Sequence, residues 1–269
     1  MNARALFAAA AFGLGPQVVV FAQTLEARVA AAPDGEVRFT YASRPGVAGN
    51  GRNIIQWSCD RDRGHCRQQV DGNFSDDDRA DWRSSCDTGP VRVTLYRRNR
   101  RTTNLRVAVG GRVPGSSGTD LGRMAAPDAV RYLLSFAGRA EGDLGGRAIF
   151  AATLADSATV WPDLLRLARN PTVPVETRRS AVFWVSQAAE VAATRGLDSL
   201  IEEETTDREV REQAVFALSQ RPHDESVPAL IRIAQSNRDP EIRKRAIFWL
   251  GQSEDPRALA LFEDLLTRP

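Results

Sequence analysis

The chain has 269 residues and carries 36 Lys or Arg against 34 Asp or Glu, which gives a formal net charge of +2. This length allows one or two domains with a sizeable core. A charge so close to neutral is not typical of proteins that bind nucleic acids through their overall electrostatics, so we predict no nucleic-acid partner.

The N-terminus has the pattern of a secretory signal peptide over residues 1–22. A short positive start precedes an apolar stretch over 5–14, and small residues offer a cleavage site after Ala22. An uncleaved membrane anchor is the alternative, although the apolar length is marginal for a span. We therefore predict a mature chain that starts near Gln23, that is periplasmic or secreted, and that has no membrane span.

A small β-rich domain is predicted over residues 23–113, because apolar and polar residues alternate in several short stretches. Alternation with one polar side is typical of strands that are half-buried. We predict an antiparallel β region whose last two strands form a hairpin with a turn centred on Asn99. The alternating stretches are 36–41, 91–96 and 103–109, with a further candidate strand at 53–58.

Three cysteines lie in this domain, at Cys59, Cys66 and Cys86. In an exported protein they would meet an oxidising compartment, and three cysteines then suggest one disulfide and one free thiol. A bridge between Cys59 and Cys66 is slightly favoured, but Cys86 with either partner is nearly as good a pairing. Zinc bound by the three cysteines and His65 is disfavoured, because the spacing lacks a paired C-x₂-C pattern.

The acidic stretch 71–81 alternates oxygen-bearing side chains in the manner of a calcium-binding loop. Such loops need a glycine at the sixth position, where Asp76 stands, and a glutamate at the twelfth, where Trp82 stands. We therefore predict a solvated loop and no metal site, and weak calcium binding by this loop stays an open alternative. The carboxylates concerned are those of Asp76, Asp77, Asp78 and Asp81.

An arginine cluster surrounds the predicted hairpin turn, and a linker follows the β region. The cluster is interpreted as a solvated hairpin tip, and binding to anionic lipid or to an acidic partner is the alternative. Pro, Gly and Ser residues predict a linker over 114–126. The next pattern, over 127–137, is helical and would cap one end of a helical stack. The clustered arginines are Arg97, Arg98, Arg100 and Arg101.

The C-terminal half repeats one short motif four times, and its alanines recur after 33, 33 and 32 residues. A fixed period in this range marks stacked helical units, because one helical hairpin cannot bury both of its faces. We predict that the small alanine lets helices approach closely and that the phenylalanine two residues later fills the space between layers. The predicted repeat core is Ala148, Phe150, Ala181, Phe183, Ala214, Phe216, Ala246 and Phe248.

Helix start signals are clearest in the last unit, where Asp239-Pro240-Glu241 opens one helix and Asp255-Pro256 opens the next. On these motifs residues 143–269 resemble bacterial HEAT repeats, including those of the phycobilisome-lyase type, and the chain as a whole resembles exported HEAT-repeat proteins. The resemblance implies an α+β protein in which a right-handed α-solenoid of about four helical hairpins spans 127–269. The units are placed near 143–170, 174–206, 207–238 and 239–269.

The same resemblance implies a ladder between units, built from an aspartate and an arginine at the start of the first helix of each unit. It also implies a concave surface that is lined by the second helices and binds a protein or peptide. Arg178 fits the arginine position, but Pro174 stands where its aspartate belongs. The aspartates and arginines that fit are Asp207 with Arg211 and Asp239 with Arg243.

We predict an exported, non-enzymatic protein-binding or scaffold protein that acts through the HEAT-repeat surface. Motifs of a nucleophilic serine, a zinc protease or a phosphate-binding loop are missing from the sequence, so we predict no enzyme activity, no cofactor and no metal. A small-molecule ligand is left open. The alternative is an accessory or regulatory subunit of an envelope enzyme, with the β region binding a metal or ligand. The candidate partner-binding residues are Arg166, Arg169, Glu202, Glu203, Arg232 and Gln235.

Three tryptophans, Trp161, Trp184 and Trp249, fall in the predicted helices. Trp184 and Trp249 occupy equivalent positions, three residues after the repeated alanine. Packing between repeats is the favoured interpretation. Exposure on a binding face is the functional alternative, because tryptophan is enriched among the residues that dominate binding energy.

Overall fold

The computed structural model describes residues 23–51, 54–60, 65–71, 87–111 and 118–267. The predicted signal peptide, Cys86 and most of the acidic stretch 71–81 lie outside the described residues. The described strands are β1 (Gly35–Tyr41), β2 (Val47–Gly49), β3 (Ile54–Asp60), β4 (His65–Asp71), β5 (Val91–Arg98), β6 (Arg101–Ala108) and β7 (Thr119–Arg123).

Ten helices lie within the same described ranges, and all but the first follow the strands in the sequence. They are α1 (Leu25–Ala31), α2 (Ala126–Ala137), α3 (Leu144–Thr153), α4 (Trp161–Arg169), α5 (Val175–Ser186), α6 (Val191–Glu202), α7 (Arg208–Ser219), α8 (His223–Ser236), α9 (Pro240–Gly251) and α10 (Pro256–Thr267). The chain therefore combines a small β region with a long helical region, as the α+β prediction states.

Four strands form one mixed sheet in the order β6-β5-β1-β7. β5 pairs antiparallel with both β1 and β6, but β7 pairs parallel with β1, so that Thr119 lies opposite Val37. The prediction of an antiparallel β region is therefore wrong at this edge, and the predicted linker 114–126 contains a strand. The glycine and serine residues before β7 have the composition of a linker, and five mostly polar residues are too few to show an alternation.

The β5–β6 hairpin turns at Asn99 and Arg100, which confirms the predicted turn. Both residues have a positive φ, 53° and 61°, the backbone of a two-residue turn that matches the twist of paired strands. The carboxylate of Asp34 accepts the backbone N–H groups of Asn99 (2.6 Å) and Arg100 (2.8 Å). The bond from Arg100 is the main reason why the pKa of Asp34 lies below its usual value.

One face of this sheet packs against helices, and the two share a single apolar core. Phe39 of β1 is fully buried and meets the ring of Tyr132 in α2 edge-on, with the ring centroids 5.9 Å apart. Tyr41, also buried, donates its hydroxyl to the main-chain oxygen of Ala151 in α3 at 2.5 Å. Burial raises the pKa of this phenol.

Arg97 is not part of a solvated hairpin tip, so the interpretation of the arginine cluster is wrong for this residue. Its side chain is buried at the C-terminal end of α1, where Nη1 donates to the main-chain oxygens of Val29 (2.6 Å) and Ala32. An arginine in this place satisfies carbonyl groups that a helix end leaves unpaired. The arginines of the cluster that remain exposed are Arg98, Arg100 and Arg101.

The strands β2, β3 and β4 form a second, antiparallel sheet. Its register places Cys59 of β3 directly opposite Cys66 of β4. Residues that face each other across an antiparallel pair have Cα atoms about 4.5–5.5 Å apart, which is within the range that a disulfide spans. The Cys59–Cys66 bridge stays a prediction, and the backbone register is compatible with it.

The helices from α3 to α10 form a repeat-like stack. The first helices α3, α5, α7 and α9 contact one another in this order, as do the second helices α4, α6, α8 and α10. All four repeated alanines are fully buried, so the smallest side chains stand where the first helices approach one another. Helix α2 packs between α3 and the sheet. The handedness of the stack and the number of hairpins stay predictions.

The phenylalanines of the repeated motif are less buried than its alanines. Phe248 is 53% exposed, so the prediction that it belongs to the core is wrong. The other three are half-buried. Phe150 packs on Trp184 and Phe216 on Trp249, with centroids 5.6 and 5.1 Å apart, and each tryptophan belongs to the next layer. No helix in the described part of the chain lies beyond α9 and α10 to cover Phe248 in this way.

Candidate interaction surface of the helical repeats

Ion pairs join the exposed faces of the second helices. Arg169 of α4 donates from Nε to both carboxylate oxygens of Glu203, just after α6, at 2.8 and 3.0 Å. Arg232 of α8 pairs with Glu202 of α6 at 3.0 Å and also with Asp198. Four of the six predicted partner-binding residues therefore pair with one another across neighbouring layers.

These pairs are partly exposed, which limits what each contributes. Partly exposed ion pairs typically contribute less than about 1 kcal/mol, since water screens them and ordering long side chains costs entropy. Asp198 is the most enclosed carboxylate of the group. Burial raises its pKa, and the neighbouring Arg232 opposes this shift. The network therefore orders this face more than it stabilises the fold.

The other two predicted residues are more open to solvent. Arg166 of α4 is 78% exposed in its side chain and pairs within its own helix with Asp163. Gln235 lies on the exposed side of α8. Neither residue joins two layers, so a partner could bind both without breaking a contact between repeats.

A second ladder, built on buried arginines, also joins the layers. Arg178 of α5 donates from Nε to the main-chain oxygen of Ala168 at 2.8 Å and pairs with Asp207 of the next layer. Arg211 of α7 repeats this arrangement, with Nε 2.8 Å from the oxygen of Ile201 and Nη1 3.3 Å from Asp239. Each rung therefore runs from the arginine of one layer to the aspartate of the next.

This direction explains why Pro174 leaves no rung broken. The arginine that would reach an aspartate at 174 belongs three residues before Ala148, where Gly145 stands. A Cβ atom on Gly145 would collide with the side chain of Thr177, so the close approach of α3 and α5 excludes a longer residue. The rung is missing at both of its ends, and Arg178 keeps its bonds to Ala168 and Asp207 without it.

The two equivalent tryptophans pack between layers. Trp184 and Trp249 are half-buried and pack at a tilt against phenylalanines of the preceding layer. Aromatic pairs at these distances contribute about 0.5–1.5 kcal/mol beyond the area that they bury. This arrangement supports the packing interpretation of these tryptophans.

Arg221, in the loop between α7 and α8, was not singled out from the sequence, where it looks like an ordinary loop residue. Its buried guanidinium donates to the main-chain oxygens of Ser186, Ala188 and Glu190 in the preceding layer. The carboxylate of Glu225 accepts a further bond at 3.0 Å. One side chain thus binds a whole loop of the neighbouring repeat.

Within the described ranges, the structure has no group of three or more His, Cys, Asp or Glu side chains placed to bind a metal ion. The helices of the same ranges also include none with the length and apolar character that a membrane crossing requires. Arginine side chains of the stack form hydrogen bonds and ion pairs between its layers.

Comparison with known families places the second half of this stack. Residues 197–269 match the family model of HEAT repeats. The match extends from α6 through α10, and so includes the Arg211 rung, the Arg221 loop contact and the ion pairs of Arg232. It supports a HEAT-repeat protein with a helical, solenoid-like scaffold, and HEAT repeats usually mediate protein interaction or scaffolding. Comparison with curated proteins gave no match.

Proposed function

We propose that this chain is an exported, non-enzymatic protein that binds a protein partner, or acts as a scaffold, through the surface of its HEAT repeats. The match of residues 197–269 to HEAT repeats carries the proposal. Stacked repeats contact mainly their neighbours and so build an extended surface that suits a large partner. Export is supported by the signal-peptide pattern of residues 1–22, which makes the mature protein periplasmic or secreted.

The second helices offer the surface that suits such a partner. Their ion pairs fix long side chains in place, which lowers the entropy that a partner must remove on binding. Arg166 and Gln235 stand outside the pairs that join layers and are exposed. A partner with acidic and amide groups would complement them without opening the stack.

A non-enzymatic role is supported by how the charged side chains are used. The carboxylates of Asp198, Glu202 and Glu203 are each bonded to an arginine of another helix. A general acid or base needs a free lone pair or proton that faces a reacting group. The oxygens of these carboxylates are instead bonded to arginines, which favours recognition over catalysis.

A matched pair of charge reversals tests the binding surface. Arg166→Glu changes the predicted face, and Arg131→Glu is the control, because Arg131 is 73% exposed and pairs with Asp128 in the same i, i+3 arrangement that Arg166 makes with Asp163. We expect Arg166→Glu to weaken cross-linking of the full-length protein to its envelope partner about tenfold, or roughly 1.4 kcal/mol. Equal cross-linking of the two variants would contradict the proposed surface.

Export has its own test. Mass spectrometry of the protein recovered from expressing cells should give a chain that starts at Gln23, in the fraction outside the cytoplasm. A chain that keeps residues 1–22 and remains with the membrane would instead support the anchor alternative.

A further inference from the structure

A cavity of about 160 Å³ lies at the seam between the last two layers, where the loop after α7 meets the loop after α9. The exposed residues His223 and Gln252 stand at its mouth, and the buried residues Ser226 and Leu230 form its floor. Trp249 lines one wall. The surface that we propose for partner binding does not include this cavity.

The preceding seam holds an arginine at the matching place. Arg221 stands seven residues after Ala214, and Ser253, which lines the cavity, stands seven residues after Ala246. The side chain of Arg221 fills its own seam, and only 5% of the surface of this residue is exposed. Serine is much shorter, so the same position one layer later leaves space that no side chain fills.

The surroundings of the two positions also correspond. The main-chain oxygens of Ser186 and Glu190 accept bonds from the guanidinium of Arg221, at 3.3 and 3.1 Å. The residues 33 positions further on are Ser219 and His223, and both line the cavity. The cavity therefore lies beside the same turn of backbone that binds a guanidinium group one layer earlier.

The carboxylate that bonds Arg221 also has a different counterpart in the last layer. Glu225, four residues after Arg221, corresponds to Arg257, four residues after Ser253. Arg257 donates to the main-chain oxygen of His223 at 3.0 Å and pairs with Asp255 at 2.8 Å. Its charge is thus compensated by its own aspartate at the edge of the seam, and it does not fill the cavity.

One wall of the cavity has gained an aromatic ring. Trp249 stands where the preceding layer has Ala217, and its ring contacts Phe216 at a tilt and Phe248 edge-on, with centroids 5.1 and 5.0 Å away. A planar guanidinium stacks on an indole face, and such a contact contributes about 0.5–2 kcal/mol. An ammonium group lacks the plane and the forked donors that this wall and the backbone turn would bind.

We propose that this cavity binds the guanidinium group of an arginine side chain presented by a protein partner. The source of the arginine rests on the proposed function, whereas the chemistry of the cavity does not. The main-chain oxygen of Ser219 accepts one N–H group, and that of His223 accepts another through its second lone pair, because Arg257 already donates to it. Trp249 stacks on the plane, and the amide of Gln252 lies at the mouth where the aliphatic part of the side chain would leave.

The chemistry is tested on the full-length protein with N-acetyl-arginine methylamide, its lysine counterpart and free arginine. Binding is followed by NMR on the indole N–H signal of Trp249, which a Trp249→Phe variant identifies. We expect the arginine methylamide to shift this signal and to bind at least tenfold more tightly than the lysine methylamide. Equal binding of the two would overturn the proposal. Free arginine binding tenfold more tightly than its methylamide would overturn a protein source.

The control rebuilds the preceding seam. Ser253→Arg with Arg257→Glu restores the Arg221–Glu225 arrangement, and we expect at least a tenfold loss of arginine methylamide binding with an unchanged circular dichroism spectrum. Ser253→Met fills the cavity without a charge and should cause the same loss, whereas Ser253→Ala should bind like the natural chain. Retained binding in both filled variants would overturn the proposal.

Partner cross-linking separates this inference from the proposed function. Filled variants that lose the arginine methylamide should also lose part of their cross-linking to the envelope partner. Unchanged cross-linking in these variants would overturn a protein source for the arginine and leave the proposed function intact. If only Arg166→Glu loses cross-linking, the result supports the proposed binding surface and contradicts binding of the partner's arginine in the cavity.

Discussion

The sheet and the helical stack are stabilised by different kinds of contact. The sheet buries an apolar face, with Phe39 and Tyr41 at its centre, against α2 and α3. The stack buries apolar side chains too, but each of its later seams also contains a bonded arginine, Arg178, Arg211 or Arg221. Apolar packing depends on volume, whereas these arginine bonds also depend on direction and so fix how far one layer is shifted against the next.

The difference shows what each region tolerates. A change of shape in the sheet leaves a cavity, and its cost scales with the volume removed. A change of an arginine in the stack leaves main-chain oxygens and a carboxylate without partners, and its cost scales with how deeply they are buried. Substitutions of each kind should therefore differ in size and in how well a conservative residue rescues them.

The largest effect is expected in the sheet. Phe39→Ala removes a fully buried ring and should lower the free energy of unfolding by about 3–5 kcal/mol. Phe248→Ala is the control, because that ring is more than half exposed and should cost less than about 1 kcal/mol. Urea unfolding followed by circular dichroism measures both values. Similar losses in the two variants would show that Phe39 does not lie in the common core.

A smaller but more specific effect is expected from a buried rung. Arg211→Met keeps the length of the side chain but leaves the main-chain oxygen of Ile201 without its donor and removes one of the two arginines that pair with Asp239, which should cost about 1–3 kcal/mol. Arg243→Met is the control, since Arg243 is less buried and bonds to main-chain oxygens at 2.8 and 3.2 Å, with no ion pair to a carboxylate within the described residues. It should cost about half as much or less.

Arg211→Lys sharpens this test. Lysine keeps the charge but cannot donate to a carbonyl and a carboxylate at the same time in the fork geometry that arginine uses. It should recover less than half of the loss caused by Arg211→Met in the same urea titration. Full rescue by lysine would mean that charge alone, and not direction, stabilises the seam.

The exposed pairs of the second helices should matter less. A double-mutant cycle of Arg169→Ala and Glu203→Ala isolates their interaction, which we expect to be about 0.3–1 kcal/mol and to shrink in 1 M salt. The cycle is measured by urea unfolding at both salt concentrations. A coupling energy above about 2 kcal/mol, unaffected by salt, would place this pair with the buried rungs instead.

Local periodicity predicts much of the fold. The strands β1, β5 and β6 and the hairpin at Asn99 follow from alternation and turn residues, because burial of one face is visible in a short stretch of sequence. β7 does not, since its pairing with β1 comes from a distant part of the chain. α1 has a local signal too, since Thr24 caps it by accepting the N–H of Ala27 at 3.2 Å, and Leu25 and Val29 are buried four residues apart.

Contacts between layers are harder to predict from the sequence. The repeated motif identifies which arginines belong to the ladder, but which aspartate each one reaches depends on the offset of two layers, and no single repeat contains that offset. The sequence also does not show that Arg169 and Glu203, both predicted to bind a partner, bond to each other across two layers. Arg221 and the cavity at Ser253 become visible only when two seams are superposed.

The smallest effect concerns the charge of Asp255 beside the cavity. Its bonds with Arg257, first from the guanidinium and then from the backbone N–H, lower the pKa of Asp255 to about 2. Because this pKa is below the usual 3.8, the ionised carboxylate stabilises the folded state above pH 4, and the contribution is lost as the pH falls towards 2.

Asp255→Asn should therefore lower the thermal midpoint slightly at pH 6, and the difference from the natural chain should vanish between pH 4 and pH 2. Asp264→Asn, which removes one carboxylate from α10, serves as the control. Thermal unfolding across this range measures the difference. A difference in thermal midpoint between Asp255→Asn and the natural chain that stays constant down to pH 2 would mean that the shape of residue 255 matters and its charge does not. The ion pair of Asp255 with Arg257 would then contribute nothing to the stability of the last seam.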